Sequence, residues 1–147
     1  MLDQSSRKEW LGVLAKSSSC LLDELFKKIK EPTIEEWLRR PEIGTVMVRG
    51  RAGGTGSAFN MGEMTVTRCS LRLQDGFVGH GYVQGRAQDH AKQAALIDAL
   101  MQTDQAEKID KELLAPLRKD AQMRAAAFKR RADKTKVDFF TMVRGEN

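Results

Sequence analysis

Glycine is distributed unevenly along this chain, and its distribution constrains the fold more than any other feature. Ten of the twelve glycines in the 147-residue sequence lie between Gly44 and Gly85. Glycine is unfavourable inside helices and is common in turns, bulges and close backbone contacts. The sequence therefore predicts strands and turns in the middle of the chain. On both flanks apolar residues recur at helical spacing, so these flanks are predicted to be helical.

The N-terminal flank is predicted to form two or three short helices. The stretches SSRKEWLGVLAKS and SSSCLLDELFKKIK each open on serines that can cap a helix and continue with an apolar stripe. Pro32 ends the second of these patterns. The stretch PTIEEWLRR then begins with residues favoured at a helix start and stops before Pro41, which favours a third helix.

The middle of the chain is predicted to form an antiparallel meander with strands in GTVMVRGR, EMTVTRCSLRL and FVGHGYVQGR. The apolar alternation in the second strand slips near Thr67, which indicates either a bulge there or a strand covered on both faces. Asp75 and Gly76 suit a two-residue hairpin turn. Gly79 and Gly81 leave one face of the third strand bare, and the alanine-rich helix that follows is expected to pack there closely.

These patterns predict a single α+β domain. Residues 1–40 are predicted to be helical, 41–86 to form the glycine-rich antiparallel sheet, 87–133 to be helical with a break at Pro116, and 134–147 to form an extended interaction tail. The tail is unusual because chain ends are generally polar. Its apolar side chains and the arginine after them are candidate partner contacts: Phe139, Phe140, Met142, Val143 and Arg144. The alternative is that the tail adds a strand to its own sheet.

Composition limits the classes of function. The net charge is +5, but the excess is spread over the four segments, and no RNA-binding aromatic motif occurs, so a nucleic-acid partner is not expected. No apolar run approaches the roughly 20 residues of a membrane helix. The first residues lack the apolar core of a secretory signal, and the two cysteines match no metal-ligand spacing. We therefore expect a cytoplasmic protein that does not associate with membranes.

No catalytic constellation or metal-ligand set is recognisable in the sequence, so neither catalytic residues nor a metal site are predicted. One feature points to chemistry: the five basic residues between positions 41 and 86 are all arginines. Arginine can bind phosphate or carboxylate through two parallel hydrogen bonds. The candidates for phosphate contact are Arg49, Arg51, Gly53, Gly54, Gly56 and Arg86. The alternative is that these arginines pair with acidic residues of the sheet, such as Glu42, Glu63 or Asp75.

Six blocks of the sequence together resemble the PhnG family, the G subunit of the bacterial carbon–phosphorus lyase system. They are EWLGVLA, RGRAGGTG, TVTRC, YVQGRAQDHAKQAALIDALMQ, LLAPL and VDFFTMVRG, and they occur in the order and spacing of the family. The resemblance covers nearly the whole chain. One position departs from the pattern: after YVQGR many relatives carry an aspartate, whereas this chain has Ala87. Either Asp89 caps the following helix or that helix begins a turn later.

The resemblance implies phosphonate catabolism by a heteromeric complex of G, H, I and J subunits. With an L subunit, the G, H and I subunits of the family support synthesis of ribophosphonate triphosphate. In that step an alkylphosphonate displaces adenine from ATP and gives α-D-ribose 1-alkylphosphonate 5-triphosphate. An iron–sulfur cluster and S-adenosylmethionine belong to the J subunit, and no cofactor is expected on this chain alone.

The resemblance leaves three roles open for this chain. It is a structural subunit of that transferase, a direct contributor of phosphate-binding residues to a shared active site, or a free-standing nucleotide-binding module. Under the first role, the RGRAGGTG stretch is a structured turn between two strands. Under the second, the same turn contacts a phosphate group.

Overall fold

The computed structural model describes residues 4–136 and shows helices before and after a three-stranded antiparallel sheet in the order β1-β2-β3. A 3₁₀ turn over Ala52–Gly54 joins β1 to β2, and a π turn over Asp110–Leu114 joins α4 to α5. The predicted α+β class with an antiparallel meander is confirmed. The elements are α1 (Gln4–Lys16), α2 (Ser19–Phe26), β1 (Ile34–Arg51), β2 (Ala58–Leu73), β3 (Val78–Gln84), α3 (Gln88–Leu100), α4 (Ala106–Ile109) and α5 (Ala115–Asp133).

The predicted third helix over PTIEEWLRR is wrong, because residues 34–40 form the first part of β1. This part of the chain pairs with the end of β2, so that Trp37 lies opposite Leu71 and is partly buried against the core. Pairing along the sheet outweighs a local helical preference here. Pro41 fits because β1 is an edge strand and because Pro41 lies at a register shift between Arg39 and Glu42, where it has no partner residue on β2.

The slip in the alternation of β2 arises because the strand is covered on both faces. Val66 and Thr67 are adjacent and both fully buried. The pairing of β2 with β3 is regular from Val66 to Arg72, so no bulge interrupts it at Thr67. Irregular pairing occurs instead between β1 and β2, at several points before Glu42 and again at Met61.

Helix α3 packs on the bare face of β3, as the glycine and alanine pattern predicts. A Cβ atom placed on Gly79 would lie 1.9 Å from the carbonyl oxygen of Ala95, and one on Gly81 would lie 1.9 Å from that of Ala91. Only glycine permits so close an approach of helix and strand backbones. The core forms around this contact and also includes α1, α2 and the π turn.

Asp98 connects α1, α3 and the outer edge of β3. Its side chain is completely buried. It accepts hydrogen bonds from the Arg7 guanidinium at 2.7 and 3.1 Å, from Trp10 Nε1 at 2.9 Å and from the backbone N–H of His80 at 2.9 Å. Arg7 also donates to the carbonyl oxygen of Val78. The Val78 carbonyl oxygen and the His80 N–H group at the edge of β3 therefore have hydrogen-bond partners without a further strand.

The helices after the sheet differ from the prediction in two details. α3 begins directly after Ala87, which makes no side-chain cap, and Asp89 lies in the first turn without capping the helix. The backbone N–H of Ala87 donates instead to the Thr67 hydroxyl, at 3.1 Å. Pro116 does not break the chain into two helices, because it lies in the first turn of α5, directly after the π turn. Among the described helices, none has the length and apolar character needed to cross a bilayer.

Candidate functional site: the β1–β2 arm

The two long strands extend well beyond the third and form a projecting ribbon, which we call the arm. It comprises Gly44–Arg51 of β1, the connecting turn, and residues 58–65 of β2. Pairing of β2 with β3 begins only at Val66, so the arm is a two-stranded part of the sheet. A two-stranded ribbon is at best marginally stable in water unless another surface covers it.

The arm carries apolar side chains on both faces. Met47 lies on the side of the sheet that α3 covers further back, and Val48 and Phe59 lie on the opposite side. Met61, at the irregular pair, lies over Gly50 and is 65% exposed, while Phe59 is 49% exposed. Contiguous apolar surface of this kind is typical of protein–protein contacts.

The glycines of RGRAGGTG shape the tip of the arm. Gly53 and Gly54 have φ angles of 58° and 80°, a region that side-chain-bearing residues rarely adopt. Gly56 donates its N–H to the carbonyl oxygen of Ala52 at 2.8 Å, and a Cβ atom on Gly56 would lie 2.6 Å from that same oxygen. The stretch is therefore a structured turn between two strands, and each of these three glycines is required by its geometry.

The five arginines of the sheet region divide into two groups. Arg68 pairs with Glu42 at 3.0 Å, as one of the alternatives predicted, and Arg72 pairs with Glu36 at 2.9 Å. Within residues 4–136, none of the other three arginines forms an ion pair. All three are exposed: Arg49, Arg51 and Arg86.

The exposed arginines lie at two separate places. Arg49 and Arg51 line a shallow depression at the tip of the arm, where Arg51 donates a hydrogen bond to the carbonyl oxygen of Gly56 at 3.2 Å. Arg86 lines another depression beside the start of α3, together with Ile43. Six residues of extended strand separate Ile43 from Arg49, which corresponds to roughly 20 Å. The tip therefore places two arginines that form no ion pair within the described residues beside a glycine turn, while Arg86 belongs to the base of the arm.

Cys69 and both histidines hydrogen-bond to other parts of the fold, whereas Cys20 is exposed. Cys69 is buried and donates to the carbonyl oxygen of Ala91 at 3.0 Å, and burial raises the pKa of its thiol to about 11. His90 hydrogen-bonds to the carbonyl oxygen of Leu14 at 2.8 Å, and His80 bonds to the hydroxyl of Ser70. Within residues 4–136, no group of three or more His, Cys, Asp or Glu side chains is placed to hold a metal ion.

The sequence patterns predict the strands that form the arm, but they do not indicate that its apolar side chains are exposed. Alternation in GTVMVRGR predicts a strand, but the exposure of Met47 and Val48 depends on β3 being much shorter than its neighbours. The predicted partner contacts Phe139, Phe140, Met142, Val143 and Arg144 lie outside the described residues.

An α+β domain with an exposed apolar arm has the features of a subunit that is completed by other chains. Comparison with known proteins agrees with this class. The model of the family described as "Phosphonate metabolism protein PhnG" matches residues 5–145, and the chain belongs to this family. A relative from Rhizobium meliloti (strain 1021) is 40% identical over 147 residues, covering 97% of this chain and 92% of its own length. That relative is named alpha-D-ribose 1-methylphosphonate 5-triphosphate synthase subunit PhnG.

Proposed function

We propose that this chain is a structural subunit of a ribose 1-methylphosphonate 5-triphosphate synthase and serves in the cytoplasmic use of phosphonates. Its partners in this proposal are the H, I and J subunits, with the L subunit in the synthase step. The complex displaces adenine from ATP with an alkylphosphonate, and ATP is a substrate of the whole assembly. This chain itself carries no cofactor in the proposal.

The observation that carries the structural role is the arm. Its large side chains are exposed on both faces, although burying one such side chain stabilises a protein by roughly 1.5–3 kcal/mol. The fold itself supplies cover for the base of the sheet through α3 but leaves the arm open. A partner chain that covers Met47, Phe59 and Met61 would gain this burial at the interface.

The experiment compares matched substitutions on the same hairpin. Met61→Thr removes an exposed side chain of the arm, and Leu38→Thr removes one from the base of β1, outside the arm. Threonine keeps the preference for strand in both. We expect Met61→Thr, and more strongly a triple threonine variant at Met47, Phe59 and Met61, to lose association with co-expressed H, I and J subunits. Leu38→Thr should associate as the parent chain does.

The thermal stability of the isolated domain serves as the folding control for these variants. All of them should unfold within a few degrees of the parent, because the substituted side chains are solvent-exposed. A triple variant that folds and still assembles normally would overturn the role of the arm. Failure of the parent chain to associate with these subunits would overturn the proposed function itself.

A second candidate function rests on Arg49 and Arg51, the two arginines at the tip. Arg49 and Arg51 lack acidic partners within the described residues, and they line one depression beside the glycine turn. This arrangement suits contact with a phosphate group of ATP at a site shared with another subunit. The third role, a free-standing nucleotide-binding module, has no comparable support, because the tip depression is shallow.

Lysine substitution tests the second candidate. Arg49→Lys and Arg51→Lys keep the charge but cannot form two parallel hydrogen bonds with one phosphate. If these arginines bind phosphate, each variant should assemble normally and yet lose about 1.5–3 kcal/mol of substrate binding or transition-state stabilisation. Arg72→Lys, whose guanidinium is paired with Glu36, is the matched control. Unchanged activity in both tip variants would restrict the arm to assembly.

A further inference from the structure

The second half of α5 projects from the described part of the domain and exposes its side chains. Leu117 is the last buried residue of this helix, and every residue from 122 to 136 is exposed. Arg124 links this part to α1 through a 3.1 Å hydrogen bond to the carbonyl oxygen of Lys16. About three helical turns therefore form without any gain from core burial.

This projecting half concentrates the positive charge of the chain. Residues 124–136 contain six basic side chains and one acidic side chain, a net charge of +5 that equals the net charge of the whole sequence. The expectation that the excess positive charge is spread over the chain is wrong. It depends on counting charges in the segments 87–133 and 134–147, and the boundary between these two segments divides the cluster. Arg124 pairs with Asp120 at 2.8 Å. Within residues 4–136, no ion pair engages Lys129, Arg130 or Arg131.

A large apolar side chain lies in the middle of the basic cluster. Phe128 is 75% exposed, the highest exposed fraction among the large apolar side chains of the described residues. Ala125 and Ala132 lie three residues before it and four after it, so the three share one face of the helix. Arg124 and Arg131 border this face on one side, and Lys129 borders it on the other. The result is a narrow apolar stripe with one aromatic anchor and cationic borders.

The projecting helix is built to persist without tertiary contacts. Its sequence, QMRAAAFKRRADK, is rich in alanine, arginine and lysine, which are strong helix formers. Basic residues in the last turn also interact favourably with the partial negative charge at the helix C-terminus. Because the preceding turns are anchored by Leu117, the projecting part continues an existing helix and bears no nucleation cost. A partner therefore meets a preformed element and pays little ordering entropy.

We propose that residues 122–133 form a docking helix that inserts Phe128 into an apolar groove bordered by acidic side chains on a partner subunit. The inference rests on the proposed function, since it requires a heteromeric complex. Charge complementarity defines the groove: unpaired guanidinium and ammonium groups along both borders require carboxylates opposite them. An apolar anchor with small residues at helical spacing is the pattern of a helix lying in a groove. Nucleic acid fits less well, since its phosphates would leave the apolar stripe without a contact.

Two variants separate the roles of charge and anchor. Lys129→Gln, Arg130→Gln and Arg131→Gln together remove three charges and keep good helix formers, and Phe128→Ala removes the anchor and favours the helix. The charge control is Lys28→Gln, Lys30→Gln and Lys108→Gln, which makes the same change at exposed lysines elsewhere. Each chain is co-expressed with the H, I and J subunits, and its affinity for the purified subunits is measured at 50 and 300 mM salt.

We expect Phe128→Ala and the triple glutamine variant each to weaken association roughly ten-fold at low salt, with unchanged thermal stability. The glutamine variant should also lose most of the salt dependence of the parent chain, whereas the lysine control should keep both affinity and salt dependence. Parent-like affinity in both helix variants would overturn the docking helix while leaving the proposed function intact. Binding of the parent chain to a 20-base-pair DNA duplex as tightly as to these subunits would also overturn it.

Discussion

Substituting Gly81 by alanine tests how closely α3 approaches β3. The added Cβ atom would lie 1.9 Å from the Ala91 carbonyl oxygen, 2.8 Å from its carbonyl carbon and 3.1 Å from Cys69 Sγ. Two of these three atoms belong to backbone, so no side-chain rotation relieves the overlap. Non-bonded carbon and oxygen atoms require about 3 Å, and α3 must therefore retreat by about 1 Å.

The cost of this retreat follows from how much of α3 is buried. Nine residues of the helix, from His90 to Leu100, are buried and lose contact together when the helix moves. Overpacking of a well-packed core costs 1–3 kcal/mol and occasionally more. We expect Gly81→Ala to lower the free energy of unfolding by about 3 kcal/mol, at the upper end of this range. For a domain of this size, the unfolding midpoint should fall by roughly 6–12 °C.

Urea and thermal unfolding followed by circular dichroism measure this effect, with Gly12→Ala as the matched control. Gly12 lies inside α1 and does not adopt a positive φ angle, and an added Cβ there meets no atom of the described residues within 4 Å apart from its chain neighbours and the backbone of its own helix. The control should gain about 0.5–1 kcal/mol, because alanine is the better helix former. A Gly81→Ala variant as stable as the parent chain would refute the close packing of α3 on β3.

Three further predictions concern other parts of the molecule. Asp98→Ala should lower the free energy of unfolding by about 3 kcal/mol, because it leaves the partly buried guanidinium of Arg7 without its partner. Glu36→Ala removes an exposed ion-pair partner and should cost less than about 1 kcal/mol. Urea titrations of the two variants compare these costs, and equal costs would refute the buried network. Since burial raises the pKa of the Cys69 thiol to about 11, the folded chain keeps this proton above about pH 9, where the unfolded chain loses it. Stability should therefore decline between pH 9 and 11 in the parent chain and less in Cys69→Ala, and identical pH profiles would contradict this. Deletion of residues 138–147 should leave the thermal midpoint unchanged but abolish co-purification with partner subunits, and unfolding of the truncated chain would instead place the tail in its own core.

Much of the fold is predictable because it follows from steric rules that act locally. Gly79 and Gly81 leave a bare strand face, an alanine-rich helix follows in sequence, and close packing between the two is the natural result. Asp75 and Gly76 likewise determine a turn, and Gly76 adopts a φ angle of 83°. The predicted two-residue hairpin is wrong, because the Leu73 N–H donates to the Phe77 carbonyl oxygen across a three-residue loop, and Asp75 does not adopt the positive φ angle that a two-residue turn requires of it. Such features depend on residues that are near one another in the chain.

The features that the sequence did not reveal depend on distant partners. The helical pattern of PTIEEWLRR is overridden by pairing with residues 71–73, more than thirty positions away. The network of Asp98 joins residues 91 positions apart, and nothing in the spacing of Arg7 and Asp98 indicates it. The arm is a candidate site only because β3 ends early, and the docking helix only because Leu117 is the last buried residue of α5.

The release of adenine from ATP in the presence of methylphosphonate tests the central claim most directly. It should be measured by chromatography for the purified chain alone, for the G, H, I and L subunits together, and for the same mixture without this chain. A structural subunit predicts no adenine from the chain alone, turnover by the full mixture, and loss of turnover when this chain is omitted. Sustained adenine release by the purified chain alone, or full activity of the mixture that lacks it, would contradict the account.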